Sequence, residues 1–240
     1  MIISRDKTVA EVVTENIKAS HIFKKYNIDF CCGGDISIQA ACEKKGLDYN
    51  HLEKELQNIK KENSNDYTNW SLPFLIDYII NVHHKYITES LPMIHMYGNK
   101  VAKVHGHKYP ETIEINKLFQ DASKDLSAHM MKEELILFPF IKQLVTAENN
   151  ESKTTRFHIS TVKNPIDMME KEHETVGEIF KKISKLSCNY TPPEGACNTF
   201  RALYDKLEEF EQDLHVHIHL ENNILHPRAL ALEHHIKEKK

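Results

Sequence analysis

Apolar residues recur at intervals of three and four positions through most of this chain, the spacing that places side chains on one face of an α-helix. Beyond about residue 70 the pattern predicts four long helices, near 71–104, 112–146, 163–187 and 197–234. Polar connections separate them, namely HGHKYPE, a longer stretch over 147–162, and CNYTPPEGA. No convincing alternation of apolar and polar positions predicts a strand. We therefore expect an all-α protein with an up-down four-helix bundle.

The first sixty residues predict a small helical domain of their own. Helical periodicity runs through Val9 and Val13 to Phe23, returns over about 37–44, and returns again around Leu52 and Leu56. The turn DFCCGGD separates the first two of these segments. Residues 60–69, KKENSNDYTN, are polar and charged, as linkers are. We expect one domain over 1–62, with a Cys-Cys-Gly-Gly turn, and the bundle over 70–236.

Two of the predicted bundle helices carry the same eleven-residue pattern, H-x3-E-x2-I-L-x-P. The copies are HMMKEELILFP at 129–139 and HIHLENNILHP at 217–227. A histidine and a glutamate four residues apart project from one face of a helix, about one turn apart. In both copies the pair lies within an apolar stripe, where core residues belong. Such a pair can bind one metal ion or join two.

The His-x3-Glu spacing is weak evidence by itself, because the chain contains 16 histidines and 24 glutamates. The spacing occurs at His51/Glu55, His107/Glu111, His129/Glu133, His217/Glu221 and His234/Glu238. The apolar context separates the third and fourth of these pairs, 129/133 and 217/221, from ordinary solvated ones. A buried carboxylate costs several kcal/mol unless a cation or a strong donor compensates it. Two in matching positions imply a shared cation site.

Single histidines upstream of each copy complete two similar halves. His84 precedes His129 by 45 residues and His173 precedes His217 by 44, and both lie on apolar stripes. The pattern leaves His83 as a rival of His84, because a second stripe contains it.

Further histidines are alternatives near the second copy and in a connection. His215, His219 and His226 form a stripe of their own, and the repeat favours His217 because only it shares the E-x2-I-L-x-P tail. His105 stays a candidate for an additional ligand or for a neighbour of the ligands.

Four imidazoles and two carboxylates are too rich in nitrogen for calcium or magnesium, and they lack the thiolates of a structural zinc site. Iron fits best, with manganese or zinc as alternatives. If both carboxylates bridge, each ion has two histidines and two bridging oxygens, fewer than the six ligands of octahedral iron. We expect the remaining positions to hold water, an oxo bridge or a small molecule.

Charge and cysteine content restrict the class of protein. The net charge is −4 with both signs interspersed, which provides no basic face for nucleic acid and no polybasic membrane anchor. No apolar run is long enough to span a membrane, and the start MIISRDKTVAEVV lacks a signal-peptide core. Five cysteines, an odd number, do not form a secreted disulfide framework. We expect a cytoplasmic protein.

The adjacent cysteines Cys31 and Cys32 are candidates for a second chemistry. They precede two glycines that permit a tight turn into a helix, and a cysteine near a helix N-terminus can be reactive. This favours a reactive or metal-transferring thiol, and packing beside a turn is an equally open interpretation. Cys42, Cys188 and Cys197 are interpreted as incidental small apolar residues.

Together these motifs resemble the iron-sulfur cluster repair di-iron family (RIC/ScdA-like proteins), whose C-terminal half is hemerythrin-like. The segments DFCCGG, HMMKEE, MEKEHETVGE and HIHLENN carry the resemblance, which extends from about residue 8 to 230. It implies a hemerythrin-like bundle whose di-iron ligands are His84, His129, Glu133, His173, His217 and Glu221, with the two glutamates bridging. It also implies His84 rather than His83, the motif cysteines at Cys31 and Cys32, and an extra pocket histidine at His105.

The resemblance further implies a stress-response protein that restores iron-sulfur clusters damaged by nitric oxide or peroxide. Its cofactor would be two non-heme iron ions with oxo and carboxylate bridges, and its partners would be the damaged iron-sulfur proteins, with nitric oxide or dioxygen as small ligands. We expect a non-enzymatic iron donor. A nitric oxide reductase, a nitric oxide-binding protein and a dioxygen-binding sensor are the alternatives, and a homodimer through the small module is a further expectation.

Overall fold

The computed structural model describes residues 3–59, 66–149 and 161–239. Residues 60–65 of the predicted linker and 150–160 of the predicted connection at 147–162 lie outside these ranges. The described residues divide into two compact units. The first contains 3–59, 66–76, 144–149 and 215–239, and the second contains 77–143 and 161–214. The predicted domain boundaries, 1–62 and 70–236, remain a prediction.

The N-terminal part of the first unit consists of four short helices. They are α1 (Val9–Glu15), α2 (Ala19–Lys25), α3 (Ile38–Lys45) and α4 (Tyr49–Gln57). The single helix predicted from Val9 to Phe23 is wrong, because the chain becomes extended at Asn16 (φ −153°). The Asn16 side-chain oxygen accepts a hydrogen bond from the Lys18 amide at 3.2 Å, which offers the backbone an alternative to helix.

Local capping explains where these helices begin. Thr8 and Glu11 form a capping box at α1, in which each side chain accepts the other residue's backbone N–H. Ser37 and Asp48 cap α3 and α4 with side-chain oxygens. The apolar faces meet in a core of buried side chains that includes Val12, Phe23, Ile38, Leu52 and Leu56.

The four long helices predicted from the sequence are confirmed, and three of them contain a π-helical turn. A short 3₁₀ turn, Tyr67–Asn69, precedes them. The first consists of α5 (Leu72–Tyr78), a π turn Ile79–His84 and α6 (Lys85–His105). The second is α7 (Glu111–Lys132), a π turn Glu133–Leu137 and α8 (Phe138–Asn149); the third is α9 (Lys163–Leu186). The fourth is α10 (Asn198–Leu220), a π turn Glu221–Leu225 and α11 (His226–Glu238).

The second unit contains the core of a four-helix bundle. Phe119 of α7, Phe180 of α9 and Phe210 of α10 pack together, with ring centroids 5.6–6.4 Å apart. Aliphatic side chains such as Ile94 and Leu126 continue this core along the helices. The described residues form helices and no strand, apart from one isolated bridge between Thr8 and Ser37. The all-α, hemerythrin-like fold is confirmed.

Within the described residues, no helix combines the length and the apolar character needed to cross a membrane.

Candidate metal centre

Glu133 lies at the centre of the second unit's candidate site. It opens the π turn that follows α7, and its side chain is fully buried. Its Oε1 is 3.3 Å from Nε2 of His129, and its Oε2 is 3.4 Å from Nε2 of His84. The two carboxylate oxygens therefore face two different imidazoles.

His173 of α9 joins this group from the opposite side of His129. The two Nε2 atoms are 2.9 Å apart, and the side chains are buried. Ligand atoms of His129, Glu133 and His173 all lie within 4.8 Å of one another. Three helices of the bundle thus direct potential metal ligands at one buried point.

The spacing of these atoms fits a metal ion. Two ligands that are each about 2.1 Å from an ion lie about 3 Å apart when they subtend a right angle, and slightly farther apart at a tetrahedral angle. The separations of 2.9, 3.3 and 3.4 Å agree with this requirement. Imidazole nitrogens and carboxylate oxygens are also ligands that transition-metal ions accept. The residues present therefore fit a metal.

Two further carboxylates orient the histidines, and the sequence reasoning missed both. The Nδ1 of His129 lies 2.9 Å from Glu172, and the Nδ1 of His84 lies 2.8 Å from Glu134. With Nδ1–H donating to the carboxylate, each Nε2 lone pair is left facing Glu133. The one signal available was adjacency, because Glu134 follows Glu133 and Glu172 precedes His173 in the sequence.

Glu172 is itself held by Lys132, with which it forms an ion pair. Burial acts to raise the pKa of the Glu172 carboxyl, but the hydrogen bonds from Lys132 and His129 outweigh it and the pKa is lowered. Glu172 is therefore charged at neutral pH. A charged carboxylate accepts the hydrogen bond from the His129 Nδ1–H more strongly than a neutral carboxyl group does.

The first unit contains the second predicted pair, with the same geometry. His217 lies near the end of α10 and Glu221 opens the following π turn, and both side chains are fully buried. The Nε2 of His217 is 3.1 Å from Oε1 of Glu221. This pair therefore repeats the relation between His129 and Glu133.

The rival histidines lie in other surroundings. His83 Nδ1 is 3.0 Å from Asp213, and its ring packs against Tyr78. His219 contacts the Phe30 carbonyl and the Thr14 hydroxyl, each at 3.3 Å. Burial lowers the pKa of His219 to about 4, so it is neutral at physiological pH. The geometry around Glu133 thus involves His84 rather than its neighbour.

The prediction that His105 adds a ligand is wrong. His105 is the last residue of α6, whereas His84 directly precedes that helix. A rise of 1.5 Å per residue places the two about 30 Å apart along the axis. The His105 ring instead lies against Phe200, and its Nε2 is 3.2 Å from the sulfur of Cys197, which is therefore not an incidental packing residue.

Cys31 and Cys32 lie in a turn rather than at a helix N-terminus. The next helix, α3, begins at Ile38 with Ser37 as its cap. Asp29 Oδ1 accepts the backbone N–H groups of both cysteines at 3.1 Å. The neighbouring Cys32 thiol, burial and the Asp29 carboxylate raise the pKa of the Cys31 thiol well above its ordinary value. The explanation expected for thiol reactivity, a helix N-terminus, is therefore wrong for Cys31.

The same turn contacts the π turn that carries Glu221, within the first unit. The Cys31 carbonyl accepts hydrogen bonds from the side-chain amides of Asn223 at 3.1 Å and Asn222 at 3.5 Å. These two asparagines directly follow Glu221 in the sequence. The cysteine turn is thus attached to the segment that positions a candidate ligand.

Comparison with known families agrees with this site. The hemerythrin HHE cation binding domain matches residues 75–229, and ScdA_N, described as a domain of unknown function (DUF542), matches residues 5–60. With the four-helix bundle and its buried His/Glu cluster, the first match defines a metal-binding protein of the hemerythrin class.

Full-length relatives identify the family more closely. The iron-sulfur cluster repair protein YtfE of Shigella boydii serotype 4 is 37% identical over 230 residues, which cover 95% of this chain and 99% of the relative. Proteins of the same name from Escherichia coli O81 and Enterobacter sp. (strain 638) show the same identity and coverage. The chain belongs to this iron-sulfur cluster repair family.

Proposed function

We propose that the protein holds two iron ions and donates iron to iron-sulfur clusters damaged by nitrosative or oxidative stress. The proposed ligands are His84, His129, Glu133, His173, His217 and Glu221. The name of the relatives, iron-sulfur cluster repair protein, supports the biological role.

The position of Glu133 is the observation on which the two-ion proposal rests. Its oxygens are 3.3 and 3.4 Å from nitrogens of two different histidines. A carboxylate that served one ion would direct its oxygens at one set of ligands. The divergent arrangement favours a bridge, with His129 and His173 on one ion and His84 on the other.

The second ligand pair supports a centre with two matching halves. His217 and Glu221 reproduce the spacing, the burial and the following π turn of His129 and Glu133. The hemerythrin match extends over 75–229 and thus includes both pairs. We propose that His217 completes the ligands of the ion bound by His84, and that Glu221 is the second bridge.

The donor set favours iron and leaves it exchangeable. Imidazole and carboxylate together suit iron, and the absence of a thiolate among the six proposed ligands argues against a structural zinc site. When bound, the two ions would be redox-active, and each would have coordination positions that the protein does not fill. Four ligands per ion, counting the bridges, are fewer than octahedral iron prefers, so the protein can release iron without unfolding.

Cys31 and Cys32 are proposed to act in delivery as metal-transferring thiols. Their turn is hydrogen-bonded to Asn222 and Asn223, next to a proposed iron ligand. The described cysteines are all free, which agrees with a reducing compartment such as the proposed cytoplasm.

The test is transfer of isotopically labelled iron. The full-length protein is loaded with labelled iron without oxygen and mixed with an iron-sulfur protein whose cluster nitric oxide has damaged. We expect the label in the recovered cluster, and no transfer from a His129→Ala/Glu133→Ala variant. The control is His234→Ala/Glu238→Ala, which removes a pair of the same spacing that is exposed to solvent.

Two results would contradict this function. If the cluster recovered while all labelled iron stayed in the protein, iron donation would be wrong. Catalytic production of nitrous oxide from nitric oxide, with the iron retained, would favour the enzymatic alternative instead.

A further inference from the structure

The two adjacent thiols of the N-terminal turn lie side by side. The Sγ atoms of Cys31 and Cys32 are 3.9 Å apart. Side chains of consecutive residues in extended backbone point in opposite directions, so this proximity depends on the turn. Two sulfur ligands about 2.3 Å from a tetrahedral ion are about 3.8 Å apart. The thiols therefore already have the separation of a chelating pair.

The negative charges of this turn also converge. Asp29 Oδ1 is 3.4 Å from the Cys31 sulfur. Ionisation of both thiols would place two thiolates beside this carboxylate. The hydrogen bond with Cys32, burial and this repulsion together raise the pKa of Cys31. A cation bound by the two sulfurs would neutralise these negative charges. Each thiol would lose its proton to solvent as its sulfur forms a bond to the metal.

The turn is held rigidly enough to keep the two sulfurs together. A side chain at Gly34 would lie 2.5 Å from the Phe30 carbonyl oxygen, so the close approach requires glycine. The Gly34 carbonyl accepts the Ala10 N–H of α1 at 2.8 Å. Asn223 holds the Cys31 carbonyl from the other side. Three separate contacts thus fix the backbone around the thiols.

The two thiols differ in their exposure to solvent. Cys31 is buried and Cys32 is partly exposed. Two protein thiolates leave about half the positions of a tetrahedral ion for other ligands. A closed structural site fills all four positions with protein ligands, so this geometry suits an ion that enters and leaves.

We propose that Cys31 and Cys32 chelate one thiophilic divalent cation, and that Asp29 contributes charge to this site. Resting on the proposed function, the cation is Fe²⁺ in transit from the bundle to a client protein. The attachment of the Cys31 carbonyl to the residues after Glu221 places the dithiol next to the segment from which iron would leave.

Co²⁺ is the probe for this site, because thiolate ligands give Co²⁺ an intense near-ultraviolet charge-transfer band that imidazole and carboxylate do not. We titrate the full-length protein without oxygen and expect the band to saturate at one ion per chain. Cys31→Ser and Cys32→Ser should each abolish the band or weaken the affinity by on the order of 100-fold. Asp29→Asn should weaken the affinity about 10-fold.

Matched controls are Cys42→Ser, which changes another buried thiol of the first unit, and Cys197→Ser, which changes the thiol beside His105. Both should retain the band. Absence of the band from the unmodified protein, or its persistence in both Cys31 and Cys32 variants, would overturn the dithiol site.

Iron content of the bundle separates this inference from the proposed function. Absence of the thiolate band from the unmodified protein, with normal bundle iron, would refute the dithiol site alone. A normal band with no iron in the bundle would refute the di-iron proposal and leave the dithiol as an independent cation site.

Discussion

Glu134 and Glu172 hold the outer nitrogens of His84 and His129, so the lone pairs of these histidines face the buried Glu133. The two contacts differ in their surroundings. Glu172 is paired with Lys132, whereas Glu134 is largely exposed to solvent. A carboxylate partner raises the basicity of an imidazole ligand and fixes its tautomer. The strength with which the protein retains iron should therefore depend on these residues.

We predict that Glu172→Gln accelerates iron loss from the loaded protein. The amide can still accept the His129 Nδ1–H, but it lacks the charge that strengthens the hydrogen bond. The expected effect on affinity is about 10-fold. The measurement is the rate at which a coloured chelator removes iron.

Glu174→Gln is the control, because Glu174 lies two residues farther along α9 and is exposed. Equal release rates for the Glu172 variant, the Glu174 variant and the unmodified protein would show that Glu172 has no role in holding the imidazole.

The residues that orient the candidate ligands could not be identified from the sequence. A histidine in an apolar stripe is unusual and can be recognised, as at His129 and His173. Glutamates beside it are not, because glutamate is common on helix surfaces and its partner depends on a neighbouring helix. The same limit applies to His105, whose role was inferred from resemblance and whose contact with Cys197 joins residues 92 positions apart.

Three of the six candidate ligands, His84, Glu133 and Glu221, lie in π turns. Such turns are rare in proteins but occur often at functional sites. The Phe138 N–H bonds to the Glu133 carbonyl, and the His226 N–H bonds to the Glu221 carbonyl, five residues back in each case. Pro139 and Pro227 follow immediately. A proline inside a helix lacks an N–H, and its ring clashes with the carbonyl four residues earlier. The proline of the repeated motif thus explains the wider turn.

We predict that Pro139→Ala stabilises the helix and weakens iron binding. Removing the clash allows residues 133–137 to wind as α-helix, which changes the direction of Glu133. The expected gain in free energy of unfolding without metal is about 1–3 kcal/mol, since proline is the most costly residue inside a helix. Thermal unfolding of the metal-free protein and iron binding are the two measurements.

Pro92→Ala is the control, because Pro92 lies inside α6 and outside the π turns. It should stabilise the protein in the same way while leaving iron binding unchanged. If Pro139→Ala bound iron as tightly as the Pro92 variant, the proline would not be what positions Glu133.

Apolar periodicity predicted the bounds of the long helices within a few residues, because each helix has a continuous apolar stripe. It missed the break at Asn16, where the apolar spacing continues but a side chain competes for the backbone. It also missed the π turns, since their five-residue bonds leave no periodic trace in so short a segment. The motif proline was visible, but it was used only to align the two copies.

Segments that are far apart in the sequence belong to one compact unit, which the apolar periodicity of single helices does not indicate. Residues 215–239 belong to the same compact unit as residues 3–59. The contacts responsible join Phe30 to His219 and Cys31 to Asn223, about 190 residues away. Such contacts depend on tertiary packing, whereas the sequence pattern reports the face of one helix at a time. The bundle and its ligand types were predictable for that reason, and the attachment of the cysteine turn was not.

In the proposed di-iron centre, the two ligand sets share two bridging carboxylates. The most direct measurement is iron per chain, with the absorption spectrum, in the unmodified protein and in Glu133→Gln and Glu221→Gln. We predict two irons in the unmodified protein and the loss of both in either variant, because each glutamate would bind both ions. The His234→Ala/Glu238→Ala control should retain two. Retention of one iron in each glutamate variant, or of two in either, would contradict a shared, carboxylate-bridged centre.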